Sequence, residues 1–133
     1  MNCVLDVCAI LAYVENEPGA SVVAATLSDS NVACYAHSVN LCEVYYQVVR
    51  KSGATVARAL IAPLYGAASS PETISAIFFW QRVGDHKARG RISLPDCFCI
   101  ALAQELSAEI LTSDHGEFDP LVPLNLAPIR FIR

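Results

Sequence analysis

The sequence has no long apolar segment, although hydrophobic residues make up 54% of its 133 residues. None of the apolar runs approaches the length that spans a bilayer. The first residues, MNCVLDVC, reach a carboxylate at once and lack the basic start of a signal peptide. These absences predict a cytoplasmic protein that does not insert into a membrane.

Charge is also scarce. Charged residues are 17% of the chain, and the net charge of −4 argues against a general polyanion-binding protein unless the basic residues are segregated. The composition is nevertheless far from that of a disordered chain. A chain of this length buries a substantial core without disulfides or a structural metal. We therefore predict a single domain over residues 1–133.

The cysteines lack the C-x-x-C spacing of zinc sites and redox centres. The six thiols lie in apolar or small-residue neighbourhoods: Cys3, Cys8, Cys34, Cys42, Cys97 and Cys99. In a cytoplasmic protein such cysteines stay reduced and pack as small hydrophobic side chains. The pattern favours a structural role over metal binding.

Short, solidly apolar segments alternate with helical patterns along the chain. NCVLD, NVACYA, AEILTS and APIRFIR have the character of buried strands, and ETIS is a possible further short strand. We expect Ser38 to cap the helix after NVACYA, Gly53 to end it, and Pro63 to kink or break the next one. Strands of this kind, separated by helices, predict an α/β fold. The predicted architecture is a three-layer α/β/α sandwich around a mostly parallel sheet.

Four acidic residues stand at the predicted strand ends or in the helix turns that follow them. Asp6 closes the first strand, Glu43 lies early in the helix after NVACYA, Asp96 follows Pro95, and Asp114 closes EILTS. Ligands of open parallel sheets bind outside the carboxyl ends of the strands. We therefore expect the four carboxylates to face the same rim.

Two of these acids have an ordinary structural explanation. Asp96 suits the first turn of a helix, and Asp114 suits a cap after its strand. Asp6 and Glu43 are harder to explain, because each interrupts an apolar stretch where a lone buried carboxylate costs several kcal/mol. One shared function for all four accounts for them better than four separate explanations.

Carboxylates brought together in this way require a partner. Two like charges about 4 Å apart repel by roughly 4 kcal/mol at an effective dielectric of about 20. Such a cluster must bind a cation or retain protons. An all-oxygen site suits Mg²⁺ or Mn²⁺, and phosphodiester hydrolysis is chemistry that such a site performs well.

The ordered set of segments resembles the PIN-domain nucleases, and most closely the VapC-like toxins of bacterial toxin–antitoxin modules. The matching pieces are VLDVCAILAYV, SVNLCEVYYQV, ISLPDCFCIALAQELSAEILTSD and the later F-D-P. The resemblance implies a sandwich with a central parallel sheet, a metal-dependent ribonuclease activity, and often a homodimer. Its acidic site residues map onto Asp6, Glu43, Asp96 and Asp114.

The chain departs from the family pattern after the first aspartate. The family usually has Thr or Ser and then Ser, whereas this chain has Val7 and Cys8. The missing hydroxyl would orient a carboxylate or a water, so we expect weaker or differently tuned activity. Thr112 and Ser113 are candidates to supply hydroxyls near Asp114. Asp119 is a possible additional ligand, although a structural role before Pro120 fits it slightly better.

Basic residues cluster directly before Asp96. Four of the nine Lys and Arg residues lie in QRVGDHKARGR: Arg82, Lys87, Arg89 and Arg91. They suit an RNA backbone, and equally a solvated helix end. We expect core or dimer contacts rather than base stacking from the aromatic residues Tyr45, Tyr46, Phe78, Phe79 and Trp80. We assign no catalytic role to His37 or His115.

Three other functions remain as alternatives. A phosphatase of the haloacid dehalogenase type needs a second Asp where Cys8 stands, and a receiver domain needs a late lysine that APIRFIR lacks. A decayed PIN-like module that binds protein or RNA is consistent with the lost hydroxyl. For the nuclease we expect a homodimer and an antitoxin peptide bound near the acidic groove, because the apolar segments exceed what one helix face needs.

Overall fold

The computed structural model describes residues 1–64 and 76–133, with the side chains of residues 76–78 left out of the description. The possible strand ETIS and the side chain of Phe78 therefore lie outside the described residues. The strands are β1 (Asn2–Leu5), β2 (Ala33–Tyr35), β3 (Glu109–Thr112) and β4 (Ile129–Phe131). They form a parallel sheet with the order β2-β1-β3-β4.

Helices connect and cover these strands. They are α1 (Val7–Val14), α2 (Ala20–Ser28), α3 (Ser38–Ser52), α4 (Ala54–Ile61), α5 (Ala76–Arg89), α6 (Leu94–Leu106), α7 (His115–Phe118) and a 3-10 helix (Asp119–Leu124). Within the described residues, no helix is long and apolar enough to cross a membrane.

Each face of the sheet has its own apolar core, because neighbouring residues of a strand point to opposite faces. Cys3 and Leu5 pack with α1 to α4, whereas Val4 packs with α5 and α6. Leu111 and Ile110 divide between the two cores in the same way. The predicted three-layer α/β/α sandwich is therefore confirmed, with every described strand pair parallel.

The helix boundaries confirm two local predictions and correct a third. Gly53 ends α3 at φ +86°, a conformation that favours glycine, and α4 ends at Ile61, two residues before Pro63. The prediction of Ser38 as the α3 cap is wrong. The imidazole Nδ1 of His37 accepts a hydrogen bond from Val39 N (3.2 Å), so His37 is the cap.

The sheet order places the topological switch point between β1 and β3. Chain order runs from β1 to β2 on one side, and β3 pairs with the other side of β1. A crevice at the carboxyl ends of these two strands is the expected ligand site of such a sheet. Asp6 directly follows β1, and Asp114 follows β3 after one intervening residue.

Candidate metal centre

Asp6 lies at the switch point, directly after β1, and is completely buried. It caps α1, since its Oδ2 accepts a hydrogen bond from Cys8 N (3.3 Å), while its own amide donates to Leu111 O on β3 (3.0 Å). The sheet and the helix together fix this carboxylate. Its second oxygen, Oδ1, is buried and has no hydrogen-bond partner.

Asp96 approaches Asp6 from the first turn of α6. Ser93 caps this helix, with Ser93 Oγ accepting from Asp96 N (3.2 Å) and donating to Asp96 Oδ2 (2.5 Å). The side chain is 6% exposed. Asp96 is thus the helix-start residue that the sequence predicts, and it also neighbours the buried carboxyl group of Asp6.

Thr112, the last residue of β3, joins two of the acids. Its hydroxyl donates to Asp6 Oδ2 (2.9 Å) and accepts from Asp114 N (3.0 Å), and the residue is completely buried. The adjacent Ser113 is half-buried, and its carbonyl accepts from His115 N (3.2 Å). Thr112 thus orients Asp6 directly and Asp114 through its backbone.

Asp114 caps α7 instead of closing the strand. The strand ends at Thr112, and Asp114 Oδ1 accepts from Glu117 N (3.0 Å). Its carboxylate stays half-exposed at the rim. The cap uses Oδ1 of Asp114 in a hydrogen bond, so Oδ2 is available to a ligand.

Glu43 lies one and a half turns into α3. Its Oε1 accepts from Tyr46 Oη (3.2 Å) and from Gln47 Nε2 (3.0 Å). The side chain is half-buried, and both partners belong to the next turn of the same helix. Glu43 is therefore held on its own helix.

Burial and mutual contact perturb the two innermost acids. Burial raises the pKa of Asp6, and the neighbouring Asp96, Thr112 and start of α1 offset this rise only in part. Burial and the charge on Asp6 raise the pKa of Asp96 to about 8. Asp6 and Asp96 therefore form a carboxyl–carboxylate pair that shares a proton near neutral pH.

The thiol of Cys8 lies near enough to the four predicted acids for their charges to affect its pKa. Burial, followed by the charges of Asp6, Asp114, Asp96 and Glu43, raises the pKa of the Cys8 thiol to about 12. All four carboxylates thus act on a single thiol, which stays protonated.

The carboxyl groups suit a hard divalent cation, although they are not closed around one. Among residues 1–64 and 76–133, no three His, Cys, Asp or Glu side chains are arranged to hold a metal ion. Glu43 bonds to its own helix and so does not close around the Asp6–Asp96 pair. The orphaned Oδ1 of Asp6 and the all-oxygen donor set fit Mg²⁺ or Mn²⁺.

Three further residues support the site, and the sequence did not predict them: Asn40, Ser93 and Glu117. The completely buried Asn40 donates through Nδ2 to Pro95 O (3.1 Å), and its Oδ1 has no partner. Glu117 accepts from Ser93 N (3.0 Å) and so ties α7 to the start of α6. The S-x-x-D spacing of Ser93 and Asp96 was a readable cap signal. The contact of Asn40 joins positions far apart in the chain and leaves no local pattern.

Asp119 and the two histidines have structural contacts. Asp119 Oδ1 lies 2.9 Å from His115 Nδ1, while His115 Nε2 lies 3.0 Å from Arg133 O, and the His115 ring stacks on Phe131. His37, besides capping α3, stacks on Phe79 and Phe98. These contacts tie the rim to the ends of neighbouring elements.

The four basic residues before Asp96 divide into two kinds. Arg82 forms an exposed ion pair with Glu105 (2.9 Å), and Lys87 Nζ donates to Ile92 O (2.7 Å). Arg89 and Arg91 are exposed and line a cavity beside the acids. Of the aromatic residues, Phe79 is buried and Tyr45 packs against the core, while Tyr46 and Trp80 are exposed.

Solved structures with a similar fold include three of VapBC proteins. The chain is similar to VapBC2 from Rickettsia felis bound to a DNA fragment from their promoter (14% identity, TM-score 0.72, covering 98% of each chain). It is also similar to VapBC-1 from nontypeable Haemophilus influenzae (16%, TM-score 0.72) and VapBC-5 from Mycobacterium tuberculosis (19%, TM-score 0.61), each covering 99% of this chain and 98% of the other.

Two sequence comparisons bear on the family to which the chain belongs. A search of curated proteins finds no match. The family profile described as PIN domain matches residues 3–120, a span that includes all four acids of the crevice and the helices that carry them. The chain belongs to the PIN domain family.

Proposed function

We propose that this protein is a Mg²⁺- or Mn²⁺-dependent endoribonuclease of the cytoplasm and the toxin of a toxin–antitoxin pair. The observation that carries the proposal is the buried Asp6–Asp96 pair, with an orphaned oxygen on Asp6. Two desolvated carboxyl groups in contact are unfavourable in an isolated domain. A divalent cation that displaces their shared proton relieves that cost.

The chemistry follows from the donor set. Bound in the crevice, a divalent cation would polarise a phosphoryl oxygen and make a water more acidic. Asp6 and Asp96 would hold it from the centre, with Glu43 and Asp114 at the rim. Thr112 would keep Asp6 in place, and the open oxygen of Asp114 would orient a water toward the phosphate.

The proposed substrate is RNA, held beside the acids by basic side chains. Arg89 and Arg91 lie next to the crevice, whereas Arg82 and Lys87 already have partners within the protein. Phosphate contacts from arginine supply most of the affinity of such complexes, and they weaken as salt rises. We assign the leading role in binding the RNA backbone to Arg89 and Arg91.

We further propose an antitoxin partner and a homodimer. Three solved structures with a similar fold are of VapBC proteins, which supports an antitoxin partner. The exposed Trp80, Tyr46 and Val56 supply apolar surface for a partner. Light scattering at micromolar concentration should give the mass of a dimer, and a sharp monomer mass would contradict that part of the proposal.

Metal-dependent cleavage tests the activity. We expect purified protein, freed of any co-purifying partner, to cut a fluorescent structured RNA in Mn²⁺ or Mg²⁺ and to be inactive in EDTA. Asp96→Asn is the control for contaminating nucleases, because a contaminant would cut equally in both preparations. The alternative, a decayed binding module, would show no cleavage and no thermal stabilisation by Mn²⁺.

Asn40 gives a second test, because it has a matched control. Asn40 Nδ2 binds Pro95 O at the start of α6, and Asn2 Nδ2 binds Leu106 O at its end (2.9 Å). We expect Asn40→Ala to weaken Mn²⁺ binding by about tenfold, since it releases Asp96 relative to Glu43. Asn2→Ala should leave Mn²⁺ binding unchanged.

Both substitutions remove an amide-to-carbonyl hydrogen bond and should lower stability by about 1 kcal/mol. Mn²⁺ affinity is read from the electron paramagnetic resonance signal of the free ion, and stability from thermal melts. Equal loss of Mn²⁺ affinity in the two variants would show that Asn40 does not position the site.

A further inference from the structure

A cavity of about 520 Å³ lies beside the acidic crevice. Its floor and walls are largely apolar and come from Ile92, Leu121, Leu124 and Leu126. Pockets of this size and character typically bind part of a small molecule or one unit of a polymer. None of the four site acids lines it, so the cavity is a separate feature from the metal centre.

The cavity wall nearest the acids is shared between the cavity and the metal centre. Glu117 lines the cavity, and its amide donates to Asp114 Oδ1 while its carboxylate accepts from Ser93 N at the start of the Asp96 helix. Gly116 lines the cavity too, and a Cβ there would lie 3.3 Å from Asp114 Oδ1. A group bound in the cavity therefore contacts Glu117, which bonds directly to Asp114 and to the start of the Asp96 helix.

Another part of the cavity wall, at His86 and Leu126, is connected by hydrogen bonds through Gln104. His86 is 6% exposed and its Nε2 lies 2.9 Å from Gln104 Oε1. The amide of Gln104 in turn donates to Leu126 O (3.2 Å). This chain of contacts links Leu126 to α6 and α5.

The cavity carries positive charge from Arg89 and Arg91. Neither forms an ion pair with an acidic residue of the described ranges 1–64 and 76–133. An apolar space with two arginines and a carboxylate matches a nucleotide, which has an apolar ring face, polar ring edges and a phosphate on each side. An apolar peptide side chain would fill the space but would leave both arginines without an anionic partner.

We propose that this cavity binds one nucleobase of single-stranded RNA, next to the phosphodiester at the acids. The ring packs against Leu124 and Ile92, Glu117 accepts from a ring amino or imino group, and Arg89 and Arg91 bind the flanking phosphates. The cavity then selects which nucleotide precedes or follows the cut. This inference rests on the proposed ribonuclease function, which it extends from metal chemistry to choice of sequence.

A fluorescence scan tests the cavity without cleavage. Short RNA oligonucleotides, each with one 2-aminopurine at a different position, are titrated with the full chain in EDTA. We expect one position to change fluorescence strongly on binding. Leu124→Glu, which places a carboxylate in the cavity, should abolish that change and lower the affinity by about tenfold, the range for one stacked base.

Val122→Glu is the matched control. Val122 and Leu124 lie in the same 3-10 helix and are 52% and 61% exposed, but only Leu124 lines the cavity. The control adds the same charge and should bind RNA as the wild type does. An equal effect of both variants, or a scan with no responsive position, overturns the inference.

The cleavage assay separates this inference from the proposed function. Metal-dependent cleavage with a flat fluorescence scan means that the nuclease proposal stands and the base pocket is wrong. That result would also favour an apolar segment of a protein partner as the occupant. A responsive position without any cleavage would retain the pocket and overturn the nuclease.

Discussion

Asp96→Asn is expected to make the metal-free protein more stable above pH 7 while reducing RNA cleavage by about 100-fold or more. The asparagine amide can donate to Asp6 in place of the shared proton, and its oxygen can still accept from Ser93 Oγ. The substitution thus keeps the helix cap and removes one of two buried carboxylates. The variant is therefore expected to be more stable and to bind the metal less well.

The sign of the pH effect follows from the raised pKa. The pKa of Asp96 rises from 3.8 to about 8 in the folded protein, so between these values the folded state binds more protons than the unfolded state. The free energy of unfolding of the wild type therefore falls as pH increases from about 4 to about 8. Below this range the acid is protonated in both states and the penalty is absent.

Thermal melts in EDTA at pH 5 and pH 8 measure this effect. We expect Asp96→Asn to raise Tm by about 5 °C or more at pH 8 and by less at pH 5. Excess Mn²⁺ should restore the wild type at pH 8 and leave the variant unchanged. The control is Asp85→Asn on the exposed face of α5, which removes a charge in solvent. A wild type whose stability rises from pH 5 to pH 8 would contradict the account.

Thr112→Val should weaken metal binding by about 10- to 100-fold without changing the shape of the core. The substitution removes the donor to Asp6 Oδ2 and the acceptor for Asp114 N in one step. Asp114 N then lacks a partner, at a cost of about 1–3 kcal/mol, and Asp6 Oδ2 keeps only the hydrogen bond from Cys8 N. Cleavage should fall with metal affinity, because Asp6 and Asp114 both lose their orientation.

Two other substitutions separate orientation from stability. Thr112→Ser retains the hydroxyl and should retain most of the Mn²⁺ affinity. Thr26→Val removes a hydroxyl that is also buried and bonded to a backbone carbonyl, Val22 O (2.9 Å), outside the site. Thr112→Val and Thr26→Val should both lower Tm, but only Thr112→Val should change metal affinity. If the serine variant behaves like the valine variant, the hydroxyl has no orienting role.

The sheet and the acids could be predicted because their signals are local. Solidly apolar strands separated by helices indicate a parallel sheet, and residues directly after such strands meet at one rim. This reasoning places Asp6 and Asp114 just after strands, and Glu43 and Asp96 in the helices that follow, as the structure has them. The thiol of Cys8 is within the electrostatic reach of all four.

Other parts of the site depend on contacts that a local pattern does not contain. Asn40 bonds to Pro95 across 55 positions of the chain, and Glu117 bonds to Ser93 across 24. The sequence predicted that Asp114 closes a strand, because a helix cap and a strand end can have the same local sequence. The strand instead ends at Thr112, and Asp114 caps the next helix. His37 caps α3 through a ring nitrogen, whereas the sequence favoured the neighbouring hydroxyl of Ser38.

The central claim is that the acids beside β1 and β3 bind a divalent cation, and anomalous diffraction from a Mn²⁺-soaked crystal tests it most directly. The account predicts an anomalous peak in contact with Asp6 and Asp96, with Glu43 and Asp114 bound directly or through water. The peak should vanish in Asp6→Asn crystals soaked in the same way. An empty crevice in well-ordered wild-type crystals at saturating Mn²⁺, with the Asp6–Asp96 contact intact, would contradict the account.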